Sequence, residues 1–406
     1  MVQLIDTEGG PAENIPRASV AGPTGQLKVQ VIRHVDELGS LRGDYAHLQS
    51  ATGNTLPFAL YDWHVLWCRH FLRREPTLTD ELLFHLLRDS AGTCVALLPF
   101  VWTRRRVGAF TFSSIELLGA DPAITEIRTA LVQPGYEEAT AQMLQTHFQP
   151  GDDCDWIQWM GARDRFSAAL AERRALDWRP LEPGYVLDLP PSWDEFRAGL
   201  KRNIRESLRH CYNSLKRADF KYSFDVADSP DAVRKALEPF FILHGLRAGM
   251  HSSVPHPNRF ESQSVRHFVI EVCEQLAALG MTRIFQLKIN GEIVASRIGF
   301  VVRDSLYLYY SGFDPAWHRY SVMTTVTAEA IKYAINLGLK TVNLSPGSDI
   351  SKTRWGPRIV PYEIAYQPGS RLRSRVASNA YRKARSGEGL QGWLLQRLVK
   401  ARRSWH

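Results

Sequence analysis

The stretch FDPAWHRYSVMTT runs from a strand end through a proline turn to Ser321, which the pattern predicts as the cap of a helix carrying Thr324 and Thr325 in its first turn. The first N–H groups of a helix lack internal partners and carry partial positive charge, so they can hold phosphate oxygens. Arg319 and His318 lie beside that start and add charge. An anion site and a plain serine-capped helix both fit this pattern. A second group is Lys201, Arg205 and Arg209, spaced by four on one face of LKRNIRESLRHCYNSLKR. Leu200, Ile204, Leu208, Cys211 and Leu215 form its apolar stripe. That basic face is either solvated or borders a cleft for an anionic substrate. His244 and Arg247 share one helix, FFILHGLRAGM, and His251 and His256 fall in the loop after it. Their spacing is poor for a metal.

The elements that must position these residues are legible between Phe285 and Trp355. Two strands are joined by Asn290-Gly291, a dipeptide suited to a tight hairpin because both central positions need positive φ. A third strand follows across Arg303-Asp304, then the helix, then a strand over Thr341–Ser345. SPGSDISKTRWG, Ser345 to Gly356, forms the loop beyond it, with Ser348 or Asp349 as the cap of a short turn.

Earlier in the chain, strands are predicted at Leu27–Arg33, Glu81–Arg88, Thr93–Thr103, Ala109–Leu118 and Asp155–Met160. Helices are predicted at Val35–Ser50, Tyr61–Leu72, Gly135–Phe148 and Gly161–Leu176. From Tyr185 a second series begins, with one continuous helix over Trp193–Arg217 and a late strand, Val360–Gln367, added to the second half. Both halves show the order helix, helix, strand, strand, strand, helix, strand. The boundary is expected near Pro180 and Pro183, giving domains at 27–182 and 183–370.

A chain of 406 residues suggests two or three domains at roughly 150 residues each. The net charge is +8, but ten Lys/Arg against the single acid Glu388 lie from Arg371 onward, so the remaining 370 residues sum to −1. The basic character belongs to a tail at 371–406, which argues against nucleic acid as the partner of the body. Within the tail, Leu390–Val399 reads as a basic amphipathic helix that packs on the body or makes a peripheral contact with an anionic membrane or a synthase complex. Residues 1–26 read as a disordered leader. Five scattered cysteines indicate neither a disulfide framework nor a zinc site, and a reducing cytoplasm is the expected setting, with the tail allowing a peripheral place at the inner membrane. No apolar run approaches the roughly 18 residues of a membrane span.

Strand, strand, strand, phosphate-facing helix, strand resembles the acyl-CoA-binding half of the GNAT acyltransferases. Gly291–Ala295, Tyr309-Tyr310-Ser311-Gly312-Phe313-Asp314, Leu337-Gly338-Leu339-Lys340 and Lys352-Thr353-Arg354-Trp355-Gly356 look like the CelD-like branch, linked with bacterial cellulose and exopolysaccharide clusters. That branch is similar to the Fem transferases, which pack two GNAT folds together. The resemblance covers about residues 185–370 and implies an α/β (α+β) chain of two tandem GNAT-like domains, each a mixed, mainly antiparallel sheet flanked by helices. It implies acetyl-CoA or another acyl-CoA as co-substrate, held by Phe313, Arg319, Tyr320, Ser321, Val322, Met323 and Thr324, with no metal and with a polar amine as acceptor. It places Asp349 or His244 as base, Tyr310 as donor to the departing thiolate, and Lys201, Arg205, Arg247, Ser345, Lys352 and Trp355 around the acceptor. The branch usually has Ser-Pro-Gly at the helix start, where this chain has Ser321-Val322-Met323.

Three functions compete. The first is an acyl-CoA-dependent N-acyltransferase of polysaccharide or cell-envelope metabolism. The second is a non-catalytic GNAT-fold scaffold of an exopolysaccharide synthase. The third is a Fem-like aminoacyltransferase.

Overall fold

Alternation of apolar residues with turn-forming ones gives this chain two sheets, and the computed structural model describes residues 27–386 apart from 108, 149–153, 163, 174–175, 177 and 251–255. The first half contains β1 (Lys28–Ile32), α1 (Arg42–Thr52), α2 (Tyr61–Phe71), β2 (Arg74–Glu75), β3 (Leu78–Arg88), β4 (Cys94–Val107), β5 (Phe110–Leu117) and β6 (Leu131–Val132). It continues with α3 (Glu137–His147), β7 (Trp156–Ala162), α4 (Arg165–Arg173) and β8 (Trp178–Pro180). The second half opens with β9 (Gly184–Asp188), α5 (Trp193–Gly199), α6 (Arg202–Arg217), β10 (Tyr222–Ala227), α7 (Pro230–Ala248) and α8 (Gln263–Ala278). Then come β11 (Thr282–Ile289), β12 (Glu292–Val302), β13 (Ser305–Phe313), α9 (Val322–Asn336), β14 (Thr341–Pro346) and α10 (Ile350–Thr353). The series ends with β15 (Arg358–Val360), β16 (Tyr362–Pro368) and α11 (Leu372–Ser386).

Local chemistry explains the boundaries. Asn290 and Gly291 both take positive φ, 52° and 89°, so β11 folds back on β12 with the strands' own twist. Asp89 accepts the N–H groups of Ala91 and Thr93 and closes the turn between β3 and β4. Ser229 accepts the N–H of Ala232, and Pro230, whose missing N–H is no loss in a first turn, opens α7. The expected single helix over Trp193–Arg217 is two. Gly199 is a poor helix former, and Leu200 leaves α5 with extended backbone to bury its side chain before α6 begins.

The first sheet runs β1-β3-β4-β5-β7-β16-β8, with β2 on β3 and β6 on β4. The second runs β10-β11-β12-β13-β14-β9-β15. The late strand therefore does not join the second half. β16 pairs antiparallel with β7 from Tyr362↔Ala162 to Pro368↔Trp156 and also bonds to β8. Burial decides this. Ala365 is fully enclosed in the core under the first sheet, beside Trp159, and Tyr362 packs in the core shared by both halves.

α5, α6 and α9 cover one face of the second sheet, with Leu187, Ile204, Leu208, Val326 and Ile331 in that core. The other face meets α7, α8 and the first half in one continuous core. There Phe58 and Trp63 touch Tyr307, Tyr309, Phe268 and Phe300 edge-on or tilted. α11 lies against the first sheet: the Ser374 hydroxyl donates to Asp155 at 2.9 Å, and the Tyr381 and Trp156 rings stand 4.9 Å apart. The leader 1–26 and the expected helix at Leu390–Val399 lie outside the described residues. Among the described residues no helix is long and apolar enough to cross a membrane.

One irregularity organises the second sheet. β13 and β14 pair in parallel only over Ser305–Tyr307 with Thr341–Asn343. β13 continues to Phe313 along β12, while β14 follows β9 past Ser345, whose φ is 66°. The two strands fork, and the gap opens beyond Tyr307 and Asn343.

Candidate functional site

Charged side chains from four segments converge on this fork. Arg297 projects from the middle of β12, a strand otherwise apolar apart from Ser296 and Glu292. It is only 9 % exposed, donates Nη1 to the Thr327 hydroxyl at 3.1 Å, and has a buried Nε with no partner among the described residues. Burial pushes its pKa down to about 10, and Arg247 adds to the push. Arg247, at the end of α7, donates to the Ser311 hydroxyl at 2.6 Å and to Nε2 of His256 at 3.3 Å. Lys352 arrives from α10 and donates to the Ser345 hydroxyl at 3.1 Å and to the Pro346 carbonyl. Burial lowers the pKa of both.

The acid that completes the site comes from the first half. Glu126 lies in the loop between β5 and β6 and accepts the Tyr307 hydroxyl at 2.7 Å at the mouth of the fork. The same loop is pinned to β13 by Tyr309, which donates to the Ile124 carbonyl, and to α2 by Trp63, which donates to the Thr125 hydroxyl at 3.1 Å. Burial raises the Glu126 carboxyl above the usual carboxylate range, while Tyr307, Lys352, Arg297 and Arg259 pull it back. A carboxylate so placed is a proton acceptor beside a cationic pocket.

The sequence-predicted residues divide. Arg247, Ser345, Lys352 and Asp349 meet at the fork. Asp349 also caps α10 through the Ser351 N–H at 2.7 Å. His244 is buried with both ring nitrogens engaged: Nδ1 donates to the Ser311 carbonyl at 2.9 Å and Nε2 accepts the Arg259 N–H at 3.4 Å. It braces β13 and has no lone pair left to act as base. Tyr310 turns its hydroxyl to the Ala123 carbonyl at 3.4 Å. Trp355 is buried, stacks toward Phe196 and donates to the Ser351 carbonyl, so it forms core and not the floor of a cleft. Lys201 precedes α6 and is exposed, and Arg205 lines a separate groove of about 930 Å³ between α5, α6 and α9. His251 lies outside the described residues.

The helix start differs from the predicted cap. Ser321 is left-handed, φ 54°, and its side chain does not cap α9. The N–H groups of Thr324 and Thr325 return to the Ser321 carbonyl at 2.9 and 3.2 Å, which leaves those of Val322 and Met323 as donors without intrahelical partners. Arg319 lies over the Tyr320 ring, Phe313 and Val322 are buried, and Met323 and Thr324 are partly open. Cys211 of α6 packs on Ser321 and Thr325 from the other side. These two N–H groups, Arg319 and the adjoining fork are the parts of the structure that would hold an acyl-CoA laid from helix start to fork.

Glu126, Arg297 and Tyr307 escaped the sequence reading. Arg297 left a signal, a lone arginine inside an apolar strand. Glu126 left none.

With this geometry in place, residues 202–355 match the acetyltransferase (GNAT) domain family. The second half of the chain is a GNAT-fold domain. FemX is similar in fold, at 12% identity over 83% of this chain and 96% of that one, TM-score 0.54. So is a conserved protein of unknown function from Bacteroides thetaiotaomicron, at 12% identity over 83% of this chain and all of that one, TM-score 0.51. A tandem GNAT protein from the clavulanic acid biosynthesis pathway aligns at 12% identity over 85% of this chain and all of that one, TM-score 0.45. No curated protein matches the sequence.

Proposed function

We propose that this protein is an acyltransferase that moves an acyl group from acyl-CoA to a polar amine in the fork between β13 and β14. The observation that carries this is the convergence there of Glu126 from one half with Arg247, Arg297 and Lys352 from the other. Acyl transfer from a thioester to an amine forms a C–N bond, breaks a C–S bond and moves one proton from nitrogen, finally to the thiol sulfur. Glu126 is the group placed to take that proton, and Tyr307 holds it in position. The N–H groups of Val322 and Met323 with Arg319 would hold the pyrophosphate. The bound donor supplies the activated carbonyl.

The polysaccharide or envelope setting implied by the sequence resemblance belongs to this proposal and is read out by which amines are acylated. A non-catalytic scaffold is the second reading, favoured by the packing of Cys211 against the helix start. Calorimetric titration with acetyl-CoA and longer acyl-CoAs separates the two. Micromolar binding that weakens in Arg319→Ala supports the enzyme, and the absence of binding to every donor sinks it.

A further inference from the structure

The fork holds more positive charge than transfer to a plain amine requires. Three cations, Arg247, Arg297 and Lys352, act on one another and on Glu126 and Asp349. Each is fastened by a neutral partner: the Ser311, Thr327 or Ser345 hydroxyl. Neither acid is bonded to them in the described residues. Glu126 accepts from Tyr307, and Asp349 accepts from the Ser351 N–H. The remaining titratable neighbours add no negative charge. His244 is neutral with both nitrogens engaged, His256 accepts from Arg247, and Arg259 sits on the exposed rim.

Cations held close in a partly dry pocket repel, and the fully buried Nε of Arg297 lacks an acceptor among the described residues. A guanidinium has five donors in a fixed fork, and it matches a carboxylate edge. Arg259 is exposed and screened by water, so the enclosed charges are three cations against two acids, which leave one unit of positive charge, the complement of a single anion. A dianionic phosphate would overshoot it.

We propose that the acceptor carries a carboxylate, which docks among Arg247, Arg297 and Lys352 and so presents the neighbouring amine to Glu126. The substrate class is an amine that is also an acid, of amino-acid type. This rests on the fork being the acyl-transfer site.

The test uses the full chain with acetate, acetamide and inorganic phosphate at constant ionic strength, read by thermal shift and by NMR line broadening of the small molecules. Acetate is expected to stabilise and to broaden, acetamide to do neither, and phosphate to act more weakly than acetate. Arg297→Gln is expected to weaken acetate binding at least tenfold. Lys352→Gln, less buried, gives the same readout if Arg297→Gln folds poorly. Acetate acting no better than acetamide, or phosphate acting better than acetate, overturns the proposal. Acetyl-CoA titration of the same samples keeps the two readings apart. Donor binding without carboxylate preference sinks only this inference, and carboxylate preference without donor binding sinks only the acyltransferase.

Discussion

Glu126 shows what a residue can hide from its sequence. It is one of 42 acids, lies in a loop without periodicity, and becomes a site residue only because that loop docks on Tyr307, Tyr309 and Tyr310 of the other half. Lys352, Asp349 and Ser345 were legible because they sit within one short stretch after a strand end. Arg297 could have been found, since a buried arginine in an apolar strand demands a reason. The roles of His244 and Trp355 were not legible, because spacing names a residue type and says nothing about what its polar atoms meet. A sharp expectation attaches to Glu126. Only its ionised form accepts a proton, and burial raises its pKa, so turnover should rise with pH along a limb displaced above the usual carboxylate range. Glu126→Gln should lower kcat by about 10²–10⁴ and abolish that limb while acyl-CoA affinity stays within twofold. A limb that survives the substitution assigns the base to another group.

At the scale of the element, the strands and helices were nearly all visible, because hydrophobic period and turn chemistry are local. Asn290-Gly291 fixed a hairpin, and Ser229-Pro230 fixed a helix start. The start of α9 was misjudged for a physical reason. A serine before a helix is usually an extended cap, but the chain arrives here through a 3-10 turn over Pro315–Tyr320 and must reverse, which sends Ser321 left-handed and leaves two N–H groups without intrahelical partners. α2 carries a different consequence. His64 faces inward, bonds Tyr45 through Nδ1 at 2.5 Å and is 3 % exposed. Burial lowers its pKa from 6.5 to about 3, against an opposing hydrogen bond that the ring donates to the Phe58 backbone carbonyl. The unfolded chain therefore takes up a proton that the fold refuses. The contribution is constant above pH 6.5 and falls by about 1.4 kcal/mol per pH unit below it, levelling near pH 3. Chemical denaturation at pH 7 and pH 5 should show this loss, and His64→Gln should remove about half of the difference, because buried His85, lowered to about 4, refuses a proton over the same interval. Equal pH dependence in the two proteins would mean that another group refuses the proton.

At the scale of the molecule, the order of elements was readable but the partner of each strand was not. YEIAYQP has the alternation of a strand in either sheet, and pairing across 200 to 212 residues leaves no local trace. Its actual place makes the halves interdependent. β16 lies between β7 and β8, so the first sheet is completed by residues that follow the second sheet in sequence. The aromatic cluster of Phe58 and Trp63 with Tyr307 and Tyr309 belongs to both halves, and so does the site, since Glu126 and Tyr307 come from different halves. Unfolding one half would expose the core face of the other and strip β8 of its neighbour. The full chain should therefore melt in one cooperative transition by calorimetry. Truncation after Val360 removes β16 and α11 and should abolish that transition, whereas truncation after Ser386 should leave it within a few degrees of the full chain. Phe58→Ala should cost about 3–5 kcal/mol and weaken activity without touching any polar group of the fork. Two separate transitions in the full chain, or a truncation at Val360 that melts like the intact protein, would show that the halves are independent and that Glu126 is presented to the fork by docking alone.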